Sequence, residues 1–123
     1  MGDLTDNFSA YEFECPCCGQ SDMHPGTLAR LQLLRDDYGK SMSFVEGGGY
    51  RCKDYDSKSG AHFQGRAVDP APPKADLYPL MALAIKHGFT GIGIKNKGGR
   101  WQLHLDDCED QPGVRPRPWV WTY

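Results

Sequence analysis

The chain has 123 residues, enough for one domain, 1–123, with a buried core and too few for two. Its 14 basic and 16 acidic residues leave a net charge of −2, and no periodic basic face argues for nucleic-acid binding. It contains no apolar run of membrane-spanning length, and its first residues lack the basic and apolar regions of a secretion signal. We therefore expect a monomer synthesised in the cytoplasm.

The first landmark is a cluster of cysteines. Residues 9–12 have the capping-box pattern of a short helical turn, and Cys15 and Cys18 follow with the spacing of a zinc knuckle. A structural zinc site needs four ligands, usually from two such pairs, whereas Cys52 and Cys108 lie far along the chain. The spacing thus favours buried thiols over a metal site at these cysteines. A disulfide between this cluster and Cys52, formed after export, remains an alternative.

The next segments are predicted to have structural rather than catalytic roles. Residues 27–38 carry leucines at intervals of three and four before a glycine, the pattern of a core helix, and His24 before it is expected to be exposed. Residues 41–45 are predicted to form a strand, followed by a glycine-rich turn over 46–49 that lacks the Gly-Lys-Ser/Thr ending of a phosphate loop. Residues 53–59 are predicted to form a polar connection bordering a cleft.

The central stretch contains His62 and Asp69. Two glycines bracket His62 and exclude a regular helix there, so His62 is expected on a loop. Residues 66–69 are predicted to form a short strand that ends where Pro70 cannot continue the ladder. This places Asp69 at a strand end.

The second half predicts a helix, a hairpin and a terminal strand. Asp76 is expected to cap a second helix that ends before Gly88, and two strands over 89–95 and 100–106 are joined by a turn. His87 is explained as a cation at the helix C-terminus. Residues 119–123 read as a terminal strand or as an aromatic wall for a glycan or peptide, with packing favoured.

Alternation in the last hairpin strand aims polar groups at one point. Leu103 and Leu105 share one face, whereas Gln102, His104 and Asp106 share the other. Two imidazoles and one carboxylate form a three-ligand zinc set, and a catalytic zinc site leaves its fourth position to water. We therefore predict Zn²⁺ bound by three residues of the chain: His62, Asp69 and His104.

These residues resemble a family. The segment His62-Phe63-Gln64-Gly65-Arg66-Ala67-Val68-Asp69 resembles the H-x-x-G-x-A-x-D signature of the M15 zinc D,D-peptidases: D-alanyl-D-alanine carboxypeptidases, murein endopeptidases and phage endolysins. Segments 49–51, 91–94 and 103–106 resemble its other landmarks in the same order. Two departures concern Gly60, where the family usually has Ser, and Trp101, where several members carry an acidic residue.

The resemblance implies an α+β fold, with a small antiparallel sheet, two principal helices and a zinc cleft. It implies hydrolysis of a D-residue-containing peptide bond in peptidoglycan stem peptides by a phage or prophage endolysin-type enzyme acting on the cell wall after release. Carboxypeptidase and endopeptidase action both remain open. The alternative function is a noncatalytic zinc-stabilised binding or assembly module, such as a tail-associated one.

The resemblance also implies roles around the metal. Arg51 matches an arginine of the family, and its fork of donors suits a substrate carboxylate or a developing oxyanion. Relatives place the general base just before the last histidine, where this chain has Trp101 and Gln102, neither of which is basic. We therefore predict Asp106 as the base, or else as a carboxylate that orients an imidazole, and assign Gln102 to substrate binding.

Overall fold

The computed structural model describes residues 2–55 and 60–123, so residues 56–59 of the predicted polar connection lie outside the described residues. The described residues form an α+β domain, which confirms the predicted fold class. Two helices and four strands build it: α1 (Pro25–Tyr38), β1 (Ala67–Val68), α2 (Leu77–Lys86), β2 (Gly91–Lys97), β3 (Arg100–Asp106) and β4 (Trp119–Thr122). Short 3₁₀ turns cover Ala10–Phe13 and Lys74–Asp76.

The sheet has the strand order β1-β3-β2-β4. Strand β3 pairs antiparallel with both β1 and β2, as predicted, whereas β4 pairs parallel with β2, so the sheet is mixed rather than wholly antiparallel. The reason lies in residues 107–118, which stay at the end of the sheet where β3 finishes. Strand β4 therefore starts level with Gly91, the first residue of β2, and runs in the same direction as β2.

The predicted strand over 41–45 is wrong for the described structure, which has only an isolated bridge between Phe44 and Pro70 there. Pro70 has no N–H to donate, so the ladder cannot extend through it. The side chain of Phe44 packs instead against the rings of Phe8 and Phe13, with centroids 5.6 and 5.1 Å away. This segment belongs to the core without belonging to the sheet.

One hydrophobic core joins the two helices to one face of the sheet. Leu31 and Leu34 of α1, Leu80 of α2, and Leu103 and Leu105 of β3 have no exposed surface. Burying a side chain of this size contributes about 1.5–3 kcal/mol. The predicted alternation of β3 is confirmed, and its polar residues lie on the face opposite the helices.

Both predicted helices are confirmed, but details at their ends differ. Asp76 makes no side-chain cap; its carboxylate accepts hydrogen bonds from Tyr38 at 2.6 Å and Lys40 at 3.0 Å. His24 is the N-cap of α1, and its Nδ1 accepts from the backbone N–H of Thr27. Among the described residues, no helix has the length and apolarity needed to cross a membrane.

Candidate metal centre

Three separate parts of the fold bring the predicted ligands together. His62 lies in the turn before β1, Asp69 directly follows β1, and His104 lies in the middle of β3. Strands β1 and β3 are neighbours, so their pairing sets the distance between Asp69 and His104. One ligand atom from each of the three residues lies within 4.8 Å of the others.

Two of the three distances within this group match tetrahedral coordination. His62 Nε2 and His104 Nδ1 each lie 3.3 Å from Asp69 Oδ1. Ligands bound to zinc at 2.0–2.1 Å in a tetrahedron are separated by about 3.3 Å, whereas hydrogen-bonded N and O atoms cluster near 2.9–3.0 Å. The spacing therefore fits three atoms around one ion better than it fits two hydrogen bonds.

Asp69 Oδ1 supplies a second test of the fit. It is a buried side-chain oxygen without a hydrogen-bond partner among the described residues. Burial alone would raise the pKa of Asp69, but the neighbouring rings of His104 and His62, when protonated, lower that pKa to about 2. A buried carboxylate oxygen without a donor is costly, and a cation at this point would satisfy it.

The two imidazole rings are held with their lone pairs toward Asp69. His62 Nδ1 lies 2.7 Å from the carbonyl oxygen of Gly49, and His104 Nε2 lies 2.7 Å from Asp106 Oδ2. Both partners can only accept, so each of these ring nitrogens carries the proton. In a neutral imidazole the opposite nitrogen, which faces Asp69, is then unprotonated, as metal ligation requires.

Asp106 lies behind His104 and not beside the metal position. It is fully buried, its two oxygens accept a bidentate pair of bonds from Arg117 at 2.9 and 2.7 Å, and Oδ1 also accepts from the Cys108 amide. Burial would raise the pKa of Asp106, yet His104 and Arg117 lower it strongly. This geometry favours the orienting carboxylate over the general base predicted for Asp106, because a fully engaged and strongly acidic carboxylate is a poor proton acceptor.

Arg51 holds the other oxygen of Asp69. Its Nη2 donates to Asp69 Oδ2 at 2.9 Å, and its Nε donates to the carbonyl oxygen of Gly47 at 2.7 Å. The side chain is only 25% exposed and lines the cleft over the ligands. Arg51 therefore lies in the cleft, where a catalytic or substrate-binding residue is expected, and also contacts Asp69, one of the three predicted metal ligands.

A cleft of about 230 Å³ opens over the three ligands, and its remaining walls are Arg51, Trp121 and Tyr123. The ring of Trp121 lies 5.2 Å from that of His104, measured between centroids. Gln102, predicted to bind substrate, donates its amide to the Tyr123 hydroxyl at 2.9 Å and does not itself line this cleft. The predicted terminal strand is confirmed as β4, and Trp121 of β4 and Tyr123 just after it also line the cleft.

A glycine makes room for this wall. Gly93 in β2 pairs with His104 in β3, and a Cβ placed at Gly93 would approach within 3.0 Å of the rings of Tyr123 and Trp121. Real Cβ atoms rarely make contacts this short, so the two rings lie directly on the bare backbone. The close approach of β4 to the site depends on this residue.

Larger concavities lie elsewhere. One of about 730 Å³ is lined by residues 11–19 and 42–47 and contains neither histidine nor the ligand carboxylate. The cavity with the larger volume is therefore not the one that contains the two histidines and Asp69. We assign the functional site to the smaller cleft, because perturbed titratable groups mark functional sites more directly than cavity size does.

Three residues of this site were not predicted from the sequence as individual functional groups: Arg117 was given no role, and Trp121 and Tyr123 were included only in the alternative of an aromatic wall over 119–123. All three come from the proline-rich tail, where no periodicity aims a side chain at the ligands. Comparison with protein-family models, with curated proteins and with solved structures found no match for this chain. The resemblance to the M15 peptidases therefore rests on its motifs alone.

Proposed function

We propose that this protein is a zinc-dependent peptidase that hydrolyses a D-residue-containing peptide bond in the stem peptides of bacterial peptidoglycan. The observation that carries the proposal is the three-ligand group His62, Asp69 and His104 beneath an open cleft. Two imidazoles and one carboxylate form a donor set typical of catalytic zinc. The peptidoglycan substrate is supported by the resemblance of segment 62–69 to the M15 signature.

The bound metal would supply a Lewis acid that polarises a carbonyl and lowers the pKa of a water ligand to ~7. The chain would supply positioning. Arg51 faces the cleft with a permanently charged guanidinium, suited to a substrate carboxylate or to negative charge developing on the carbonyl oxygen. Because the same guanidinium holds Asp69, the positions of substrate and ligand are coupled through one side chain.

Tyr123 is the second polar group on the cleft wall. Burial and the charge of Asp69 raise its pKa to about 12, so the hydroxyl stays protonated at neutral pH. That oxygen accepts a hydrogen bond from Gln102, which leaves its proton to be donated. We assign Tyr123 to hydrogen bonding of the substrate, with Gln102 acting through Tyr123 as a positioning residue.

The test is digestion of purified peptidoglycan, followed by mass spectrometry of the released fragments. New termini at a D-residue are expected with zinc-loaded protein, and their position distinguishes carboxypeptidase from endopeptidase cleavage. Protein stripped with a chelator should lose this activity and regain it with added zinc. Intact fragments after digestion with fully zinc-loaded, folded protein would refute the proposal.

One observation favours a second function. Among the described residues that line the cleft, Asp69 supplies the single carboxylate, and it is assigned to the metal. A cleft without a separate base suits a noncatalytic zinc-stabilised module that binds a wall peptide or assembles with a partner. In that case the zinc-loaded protein would bind purified stem peptide and leave it uncut.

A further inference from the structure

A second group of potential metal ligands lies outside the cleft. The Sγ atoms of Cys15, Cys18 and Cys52 all lie within 4.8 Å of one another, and none of these cysteines is in a disulfide. Cys15 is buried, Cys52 is partly buried and Cys18 is exposed. Cys52 comes from a segment 34 residues or more from the other two, so tertiary structure creates the group.

The backbone around Cys15 is arranged to stabilise a thiolate. The N–H of Gly19 donates to the Cys15 carbonyl at 2.8 Å and closes a tight turn, with Gly19 in the left-handed region. The Cys15 Sγ accepts from the backbone N–H of Cys52 at 3.3 Å. A hydrogen bond to the sulfur favours its thiolate form, which is the form that binds metals.

We propose that Cys15, Cys18 and Cys52 bind a thiophilic divalent metal ion of the zinc class, in a structural site separate from the cleft. Tetrahedral thiolate ligands at 2.3 Å from zinc are separated by about 3.8 Å, which the spacing of the three sulfurs allows. Soft thiolates select zinc over harder cations. Cys17 is exposed and lies outside this group of three.

The three-way arrangement favours a metal over a disulfide. A disulfide would join two of the three sulfurs at about 2.05 Å and leave the third thiolate beside it without a partner. A metal engages all three at once and uses the backbone amides already directed at Cys15. Sequence spacing alone argued against a second metal because Cys15 and Cys18 had no second pair. Tertiary structure brings Cys52 to them as a third sulfur, which leaves one coordination position for water.

The metal would fasten the segment that shapes the cleft. In segment 49–52, the Gly49 carbonyl accepts from His62, the Arg51 side chain holds Asp69, and Cys52 belongs to the thiol group. The backbone N–H of Arg51 also donates to the His62 carbonyl at 3.3 Å. Anchoring residue 52 to the N-terminal turn therefore fixes the position of both groups that orient the cleft ligands.

Cobalt substitution tests this site without any activity measurement. The full chain, purified reduced and metal-free, is titrated with Co²⁺, and a sulfur-to-cobalt charge-transfer band in the near ultraviolet is expected. The band should disappear in Cys18→Ser, an exposed position chosen to spare folding, and persist in Cys108→Ser, a buried thiol outside the group. It should also persist in His62→Ala, which separates this site from the cleft.

Zinc content gives the second readout. The wild-type chain should bind about two zinc ions. Cys18→Ser should bind one, with circular dichroism unchanged. Loss of one ligand should weaken the thiol site by more than roughly 100-fold, since even indirect contacts are worth 10–100-fold. Absence of the charge-transfer band in the folded wild type, or its full retention in Cys18→Ser, would overturn the proposal, as would a mass showing these cysteines joined in a disulfide despite reduction and added metal.

Discussion

The two groups of potential metal ligands in this protein differ in how their donor atoms are held. In the cleft, each ligand atom is positioned by another group: the Gly49 carbonyl behind His62, Asp106 behind His104 and Arg51 behind Asp69. In the thiol group, backbone amides point at the sulfur itself. Hydrogen bonds to the atoms that do not bind the metal leave the metal position open to a cleft. Amides that donate to the ligand atoms themselves suit a closed structural site.

One short segment connects both groups. Residues 49–52 contribute a carbonyl and a guanidinium to the cleft and a sulfur to the thiol group. Replacing a cleft ligand should leave the thiol group intact, because the side chains of the cleft ligands do not support the three sulfurs. Perturbing the thiol group should reach the cleft through this segment.

The largest expected effect separates the two groups directly. His104→Ala removes a ligand, so the cleft should lose its zinc and the chain should retain the thiol-bound ion, with affinity at the cleft falling by more than roughly 100-fold. Metal analysis after dialysis measures this. His87→Ala is the control, because His87 is paired with Asp37 away from both groups. Undiminished zinc in His104→Ala would refute the ligand assignment.

The next effect concerns the tail. Arg117→Ala leaves the buried Asp106 carboxylate without its bidentate partner, which should destabilise the fold by ~3–5 kcal/mol. Urea denaturation measures the change. Arg100→Ala, at an exposed position in β3, should stay within about 0.5 kcal/mol of wild type. Equal stabilities of the two variants would show that the ion pair contributes nothing.

Asp106→Asn decides between the two roles of this residue. If the Asp106 carboxylate orients His104, its removal should weaken zinc binding by about 10–100-fold. Saturating zinc should then restore turnover. A general base would instead cost ~10²–10⁴ in rate even with zinc fully bound. Peptidoglycan turnover measured across a zinc titration separates these outcomes, and a persistent loss at saturation would restore the general-base assignment.

Arg51→Lys tests the residue shared by substrate and ligand. Lysine keeps the charge but not the fork that contacts Gly47 and Asp69 together, so turnover should fall more than about tenfold. Zinc affinity should also weaken, unlike in a purely substrate-binding role. Steady-state kinetics measures turnover, and zinc titration measures zinc affinity. Arg66→Lys, a substitution outside the cleft, is the control. Wild-type turnover would assign Arg51 to structure alone.

The sequence predicted the parts of this site that follow from local periodicity. Alternation in β3 placed His104 and Asp106 on one face, and Pro70 ended β1 beside Asp69. It could not predict the groups that depend on the path of residues 107–118, because irregular backbone has no period to aim Arg117 or Tyr123. The approach of Cys52 to Cys15 likewise results from tertiary contacts, which spacing does not encode.

The smallest expected effect concerns the aromatic wall. Gly93→Ala introduces a Cβ where the rings of Trp121 and Tyr123 lie on the backbone, so β4 must shift outward. Such overpacking costs about 1–3 kcal/mol. The atoms nearest to the added Cβ belong to Tyr123 and Trp121 and not to His104, its partner in β3. KM for stem peptide should rise a few-fold with zinc content unchanged. If kcat falls and KM does not, the wall acts on the reacting groups, and Tyr123 would then be catalytic rather than a substrate contact.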